Sequence, residues 1–299
     1  MAEVPCAFHP DRLTAVSCSN CGRPICPSDM TPAPIGYQCP ICTGRAREGA
    51  AGAAAYRARS AVSARAERLP LARMIKRAGA TQALIAANVA VFVAMLATGK
   101  PTATVTLIRF GATVSPLPRS QWWRLLTNMF VHIGPLHILF NMWALMLFGP
   151  AIETRYGRLR YLLLYLSAGF LGSAFSLHFG PVPAVGAGAS GAVFGILGAW
   201  IAFFVRHRNV QGARDQLRSL FFLVGINFVI GVSSGGHIDN WAHVGGLVGG
   251  FVAATSLEQT GRRQGTAARA ADLIGYAVVV ALGLVLVLTS ARFVSVPRL

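Results

Sequence analysis

The chain is expected to be an all-α, polytopic transmembrane helix bundle with a small N-terminal zinc-binding module. Three observations predict this. Hydrophobic residues make up 54% of the 299 and charged residues only 12%, about half the charged share of an ordinary soluble domain. Apolar runs recur from residue 81 to residue 290, separated by more polar connections. All six cysteines fall in the first 44 residues, ahead of the first apolar run.

In residues 1–44 eight candidate ligands form four pairs, each with two residues between: Cys6 and His9, Cys18 and Cys21, Cys26 and Asp29, Cys39 and Cys42. Six cysteines also suit three disulfides, but a cytoplasmic location is reducing and the paired spacing suits tetrahedral zinc. The interleaved order resembles a cross-braced B-box-type zinc finger. That resemblance implies one site from Cys6, His9, Cys26 and Asp29, another from Cys18, Cys21, Cys39 and Cys42, and so one or two structural Zn2+ ions. Asp29 also reads as a turn residue, and then the first site lacks a ligand. Residues 45–79 read as a basic Ala/Arg-rich linker, with nine Arg or Lys between 45 and 77 and few large apolar side chains. Its charge suits anionic lipid headgroups, or simply a solvated spacer.

Seven apolar runs are readable, at 81–98, 136–152, 161–179, 190–205, 220–232, 240–257 and 273–290. Most approach the ~20 residues needed to cross a bilayer, and the fourth and fifth are short. No signal peptide is visible at the amino terminus. A net charge of +17 suggests nucleic acid in a soluble protein, but here most basic residues lie between apolar runs, so no nucleic-acid partner is expected. Basic clusters fall on alternate connections, while those near 180–187 and 233–239 carry no Arg or Lys; the long first loop, with Lys100, Arg109, Arg119 and Arg124, is the exception among the outer ones. The positive-inside rule then places the amino terminus in the cytoplasm and those two connections outside. The expected location is the plasma membrane of a bacterial cell, crossed several times.

After the first run comes a loop of nearly forty residues containing Trp122, Trp123 and Arg124. Loops of that length are usually functional or disordered, and the tryptophans argue for order at the membrane interface. His132, His137 and Asn141 follow; His137 and Asn141 are four apart and share a helix face. Polar residues inside a span are functional by default, although they also glue helices together.

Ser190 lies in the stretch Gly186-Ala-Gly-Ala-Ser-Gly-Ala-Val-Phe-Gly195, where the charge-free segment 179–205 begins its helix. Serines among glycines are common in helix packing, and Ala192 excludes the strand-to-helix nucleophile elbow, which needs glycine there. A base is therefore required. His243 sits deep in the sixth run, with Gly246 and Gly250 beside it as Gly191 and Gly195 stand beside Ser190. Small residues at four-residue spacing on both helices allow a close crossing and a direct Ser–His hydrogen bond of ~3 Å. Counting ~1.5 Å per residue to the cytoplasmic end of each run puts Ser190, His243 and His137 at one depth, roughly 21 to 23 Å. In a ~30 Å hydrocarbon core that plane lies several ångströms below the outer surface.

Together these motifs resemble the rhomboid intramembrane serine proteases. The motifs are Trp123-Arg124, His132 with His137 and Asn141, Glu153-x-Arg155-x-Gly157, Gly188-Ala189-Ser190-Gly191 with Phe194, and Ala242-His243 with Gly246 and Gly250. The resemblance covers 80–257 as a six-helix core, leaving 258–299 as a linker and a seventh C-terminal helix. It implies Ser190 as nucleophile, His243 as general base, and the Ser190 backbone N–H, His137 and Asn141 as oxyanion donors, with Phe194 packed on the His243 ring. The substrates would be transmembrane proteins cut near the outer face of the bilayer, with no cofactor for catalysis. Asp239, one turn before His243, reads as a helix cap, which leaves a dyad. A non-proteolytic client-binding protein or a zinc-finger adaptor with a cytoplasmic protein partner is the alternative; a transporter would show internal repeats, and none is found.

Overall fold

The computed structural model describes residues 3–33, 36–44, 78–208, 212–235, 238–260 and 266–295, so the basic stretch 45–77 lies outside the described residues. The chain divides into two compact units, Met1–Leu71 and Ala72–Leu299.

In the first unit two short antiparallel hairpins pair β1 (Val4–Pro5) with β2 (Leu13–Thr14) and β3 (Thr31–Pro32) with β4 (Tyr37–Gln38). Its apolar centre is Ile25 with the Cys18 and Cys39 side chains, covered by Phe8, Met30 and Ile41. So small a core cannot stabilise a module of this size without cross-links or a metal.

Each of the seven apolar runs is helical in the second unit: α1 (Gly79–Thr98), α4 (Gly134–Tyr156), α5 (Arg158–Phe179), α6 (Ser190–Arg206), α7 (Ala213–Ser233), α8 (Asn240–Thr260) and α9 (Thr266–Thr289). Among the described residues α1, α4, α5 and α7 are long and apolar enough to cross a membrane, while α6 has 17 residues. The fifth run was expected to be short, yet its helix begins at Ala213. Hydropathy registers only the apolar part, and the turn carrying Arg214, Asp215 and Arg218 continues the helix into solvent.

α5 is the central element. Leu164, Tyr165, Ala168, Leu171 and Ala174 on it are fully buried, and the main core joins Leu164, Tyr165 and Leu171 to Leu84 of α1, Leu145 of α4, Ile196 of α6, Ala253 of α8 and Val279 of α9. α1 starts against an anion. The Glu153 carboxylate accepts from the Ala80 and Thr81 N–H groups at 2.9 and 2.8 Å and from the Thr81 hydroxyl at 2.8 Å, satisfying donors that a helix start leaves free.

The long loop is ordered, through α2 (Thr104–Arg109), β5 (Thr113–Ser115), β6 (Leu117–Pro118) and α3 (Arg124–Thr127). Its organiser is Arg124, only 7% exposed, whose guanidinium donates to Ile108 O at 2.5 Å, Ala112 O at 3.0 Å and Gln121 Oε1 at 2.6 Å. The arginine also lies over the Trp123 ring, 4.5 Å from its centroid. β5 pairs antiparallel with β7 (Ala184–Gly186), and β6 pairs parallel with β8 (Phe293–Val294). These ladders of two or three residues are the strand content that an all-α expectation leaves out.

Candidate active site

Ser190 is the first residue of α6, and the four residues before it are pinned on three sides. β7 is registered on β5, Gly188 N–H donates to Asn128 O at 2.9 Å, and Ala189 N–H points to His132 Nε2 at 3.5 Å. Asn128 is itself fixed: its amide donates to Ser173 Oγ at 2.9 Å, tying the loop to α5. Gly188 has φ +129°, and a Cβ there would stand 2.7 Å from both Cε1 and Nε2 of His137 and 3.8 Å from Ser190 Oγ. Only glycine fits. The His137 imidazole and the Ser190 hydroxyl therefore flank one small space.

The hydrogen bonds of His137 fix its tautomer. Ile133 N–H donates to Nδ1 at 3.2 Å, so in the neutral ring the proton sits on Nε2, the atom beside Gly188, where it can be donated. Asn141, four residues on, spends one amide hydrogen on His137 O at 2.9 Å and keeps the other. His132 is fully buried and meets the His137 ring edge-on, centroids 5.2 Å apart.

His243 lies in the first turn of α8, 4% exposed, stacked on Phe194 with centroids 4.1 Å apart and planes 5° off parallel. Among the described residues its buried Nδ1 has no protein partner. Asp239 does not reach it. One oxygen accepts from Ala242 N–H at 2.9 Å, capping α8, and the other accepts from the Ser176 hydroxyl.

The serine and histidine helices touch backbone to backbone. A Cβ on Gly246 would overlap Gly191 O, and one on Gly250 would overlap Gly195 O, so the two glycine faces meet as their spacing suggests. The direct Ser190–His243 hydrogen bond expected from that crossing is not among the bonds of the described residues. Catalytic hydrogen bonds are often long without substrate and tighten when it binds. The Ser190 hydroxyl and the His137 imidazole flank one space, Asn141 follows one turn along α4, and His243 lies on the helix packed against that of Ser190; a hydroxyl, an imidazole and side-chain donors are the parts that acyl transfer requires.

A family model described as the rhomboid domain matches residues 119–260. Those residues are a rhomboid domain. Among curated proteins, rhomboid protease GluP of Bacillus subtilis is 42% identical over 178 residues, covering 59% of this chain and 34% of the relative. RHOMBOID-like protein 1 of Arabidopsis thaliana is 35% identical over 152 residues, 50% of this chain and 38% of the relative. Rhomboid-like protease 2 of Toxoplasma gondii is 33% identical over 181 residues, 58% and 63%. The chain thus spans 34 to 63% of the length of these relatives. The domain match begins at Arg119 and ends at Thr260, so it excludes the cysteine-rich unit and α9.

In the first unit the eight predicted ligands form two groups, Cys18 with Cys21, Cys39 and Cys42, and Cys6 with His9, Cys26 and Asp29. Within each group the donor atoms lie within 4.8 Å of one another, so either could hold a metal ion. Cys21 Sγ is 3.7 Å from Cys39 Sγ, close to the ~3.8 Å edge of a tetrahedron with zinc–sulfur bonds of ~2.3 Å. Asp29 is not merely a turn residue. Its carboxylate stands 3.1 Å from Cys6 Sγ, 3.2 Å from Cys26 Sγ and 2.9 Å from His9 Nδ1. Burial works against ionising it, but the hydrogen bonds of Cys6, Cys26 and His9 outweigh burial and hold the carboxyl below its usual range.

Arg124, Asn128 and Glu258 escaped the sequence reading as structural hubs. Arg124 carried a signal beside Trp123, whereas Asn128 and Glu258 act through partners 45 and 103 positions away.

Proposed function

We propose that this chain is an intramembrane serine protease that hydrolyses peptide bonds of transmembrane proteins near the outer face of the membrane, using Ser190 and His243. The observation that carries the reading is the shared space at Gly188, flanked by the Ser190 hydroxyl and the Nε2–H edge of His137. The His243 imidazole takes the Ser190 proton as Oγ attacks the scissile carbonyl carbon. The tetrahedral oxyanion is met by the Ser190 backbone N–H, Asn141 and His137, one such donor contributing about 3 to 4 kcal/mol in hydrolases. Protonated His243 then gives the proton to the leaving amine, and water, deprotonated by the same ring, releases the acyl group.

No carboxylate is needed to orient the base. Phe194 holds the imidazole plane by stacking, and Asp239 is occupied in capping α8. The amino terminus lies in the cytoplasm and the Ser190 end of the bundle opens outward, a reading supported by the basic connections at 206–218 and the uncharged one at 180–187. Residues 1–44 form a zinc module, with the four-cysteine group and the mixed group each binding one ion for structure.

Cleavage tests this directly. The purified chain, reconstituted in liposomes with a panel of single-span proteins, is expected to cut at least one of them, and Ser190→Ala and His243→Ala to lower the rate by at least about 10³-fold. A Ser190→Ala variant that cuts at the wild-type rate contradicts the assignment.

A further inference from the structure

The rhomboid-domain match stops at Thr260, yet the chain that follows α9 returns to the loop behind the candidate active site. We propose that residues 290–294 are a positioning strap for the segment that presents Ser190, an inference that rests on the protease reading above. The strap is anchored first on α5. Leu177 O, one of the carbonyls a helix leaves unpaired at its end, accepts from the Arg292 guanidinium at 3.1 Å and from the Ser290 hydroxyl at 3.4 Å. It then takes hold of the long loop. Leu117 N–H donates to Arg292 O at 2.7 Å, β8 runs parallel along β6, and the Arg119 side chain donates to Phe293 O at 3.3 Å with its guanidinium 5.6 Å from that ring.

The same segment closes a separate apolar cluster. Phe293 packs with Leu117 and Leu125 of the loop, Leu177 of α5 and Val287 of α9, and Val114 packs against the same cluster. Val114 is the middle residue of β5, paired with Val185 of β7. Three residues beyond Val185 is Gly188, whose N–H is fixed on Asn128 O and whose missing side chain makes room for His137. The route from the strap to the nucleophile is thus continuous: Phe293 and Arg292 seat Leu117 and Val114, β5 sets β7, and β7 delivers Gly188 and Ser190. Without the strap, Leu117 N–H and Leu177 O lose their partners and the apolar floor under β5 opens.

Three variants test this: a chain shortened to end at Thr289, and, in the full chain, the double substitution Arg292→Ala with Phe293→Ala and the single substitution Arg292→Lys. Amide hydrogen exchange is read at 113–115 and 184–188, and cleavage kinetics are read on a single-span substrate. For the shortened chain and the double variant the expected result is exchange about ten-fold faster in those two stretches, with α5 unchanged. Turnover should fall about ten-fold while KM stays within about two-fold, since a displacement of ~1 Å at reacting atoms can cost more than that. Arg292→Lys, which can still donate to Leu177 O, should keep most of the wild-type rate. If the shortened chain does not fold, the double variant carries the test. Unchanged exchange in the double variant overturns the strap whatever happens to cleavage. Faster exchange with unaltered turnover overturns its positioning role. Faster exchange in the variants, when the wild type itself cuts nothing, leaves the strap standing and removes the protease reading.

Discussion

At one end of the rhomboid domain Glu258 accepts two bonds of 2.7 Å from the Arg155 guanidinium and a third of 2.7 Å from the Tyr156 hydroxyl, with His207 3.6 Å away. At the other end of the same helices, α4, α6 and α8, His132 just before α4 and His243 in the first turn of α8 each bury an Nδ1 that has no protein partner among the described residues. Both ends place polar groups out of water, where an unsatisfied one costs about 1 to 3 kcal/mol. The carboxylate end is fully paired and acts as a fixed joint between helices. The imidazole end leaves capacity unused, which the proposed protease reading assigns to a reacting peptide. The difference separates residues that hold the bundle from residues held ready by it.

Substitutions at the two ends should therefore fail in different ways. The largest effect is expected at the imidazole end. His137→Ala and Asn141→Ala should each lower turnover by about 10² to 10³-fold with KM changed far less, because oxyanion donors act mainly in the transition state. Equal losses in turnover and substrate affinity would place these residues in binding instead.

A smaller catalytic effect is expected at the paired end. Glu258→Gln removes the charge that Arg155 faces, and as Arg155 is about one-third exposed the loss of stability should be about 2 kcal/mol, below that of a fully buried pair. Thermal unfolding in detergent should shift downward while turnover per folded molecule stays within about two-fold of wild type. A large loss of turnover without a thermal shift would break the distinction between the ends.

The smallest effect on cleavage is expected from the cysteine-rich unit. Metal analysis of the full chain should give two zinc ions, and chelation should unfold residues 1–44 while leaving the cleavage rate of a purified substrate unchanged. One ion would restrict zinc to the four-cysteine group. Disulfides in place of zinc would overturn both the metal and the cytoplasmic placement of the amino terminus.

Much of this was legible in the sequence, for identifiable reasons. The helices announce themselves because lipid and core both demand apolar side chains, and the Gly191, Gly195, Gly246 and Gly250 spacing forecasts the crossing that joins α6 to α8. Helix ends were less legible: the charged first turn of α7 carries no apolar signal. The strands inside the long loop were not legible at all. β5, β6 and their partners are two or three residues long, too short for periodicity, and β6 pairs with a strand about 175 residues away. The missing Ser190–His243 bond was beyond reach for another reason, since spacing fixes how closely two helices approach but not the rotamers of the side chains between them.

The most direct measurement is the site of covalent modification by a serine-directed fluorophosphonate, read by mass spectrometry on the purified chain. The account predicts a single phosphonylated peptide carrying the adduct on Ser190, formed far more slowly in His243→Ala and absent in Ser190→Ala. An adduct on any other serine, or labelling of Ser190 at an unchanged rate when His243 is removed, would contradict it.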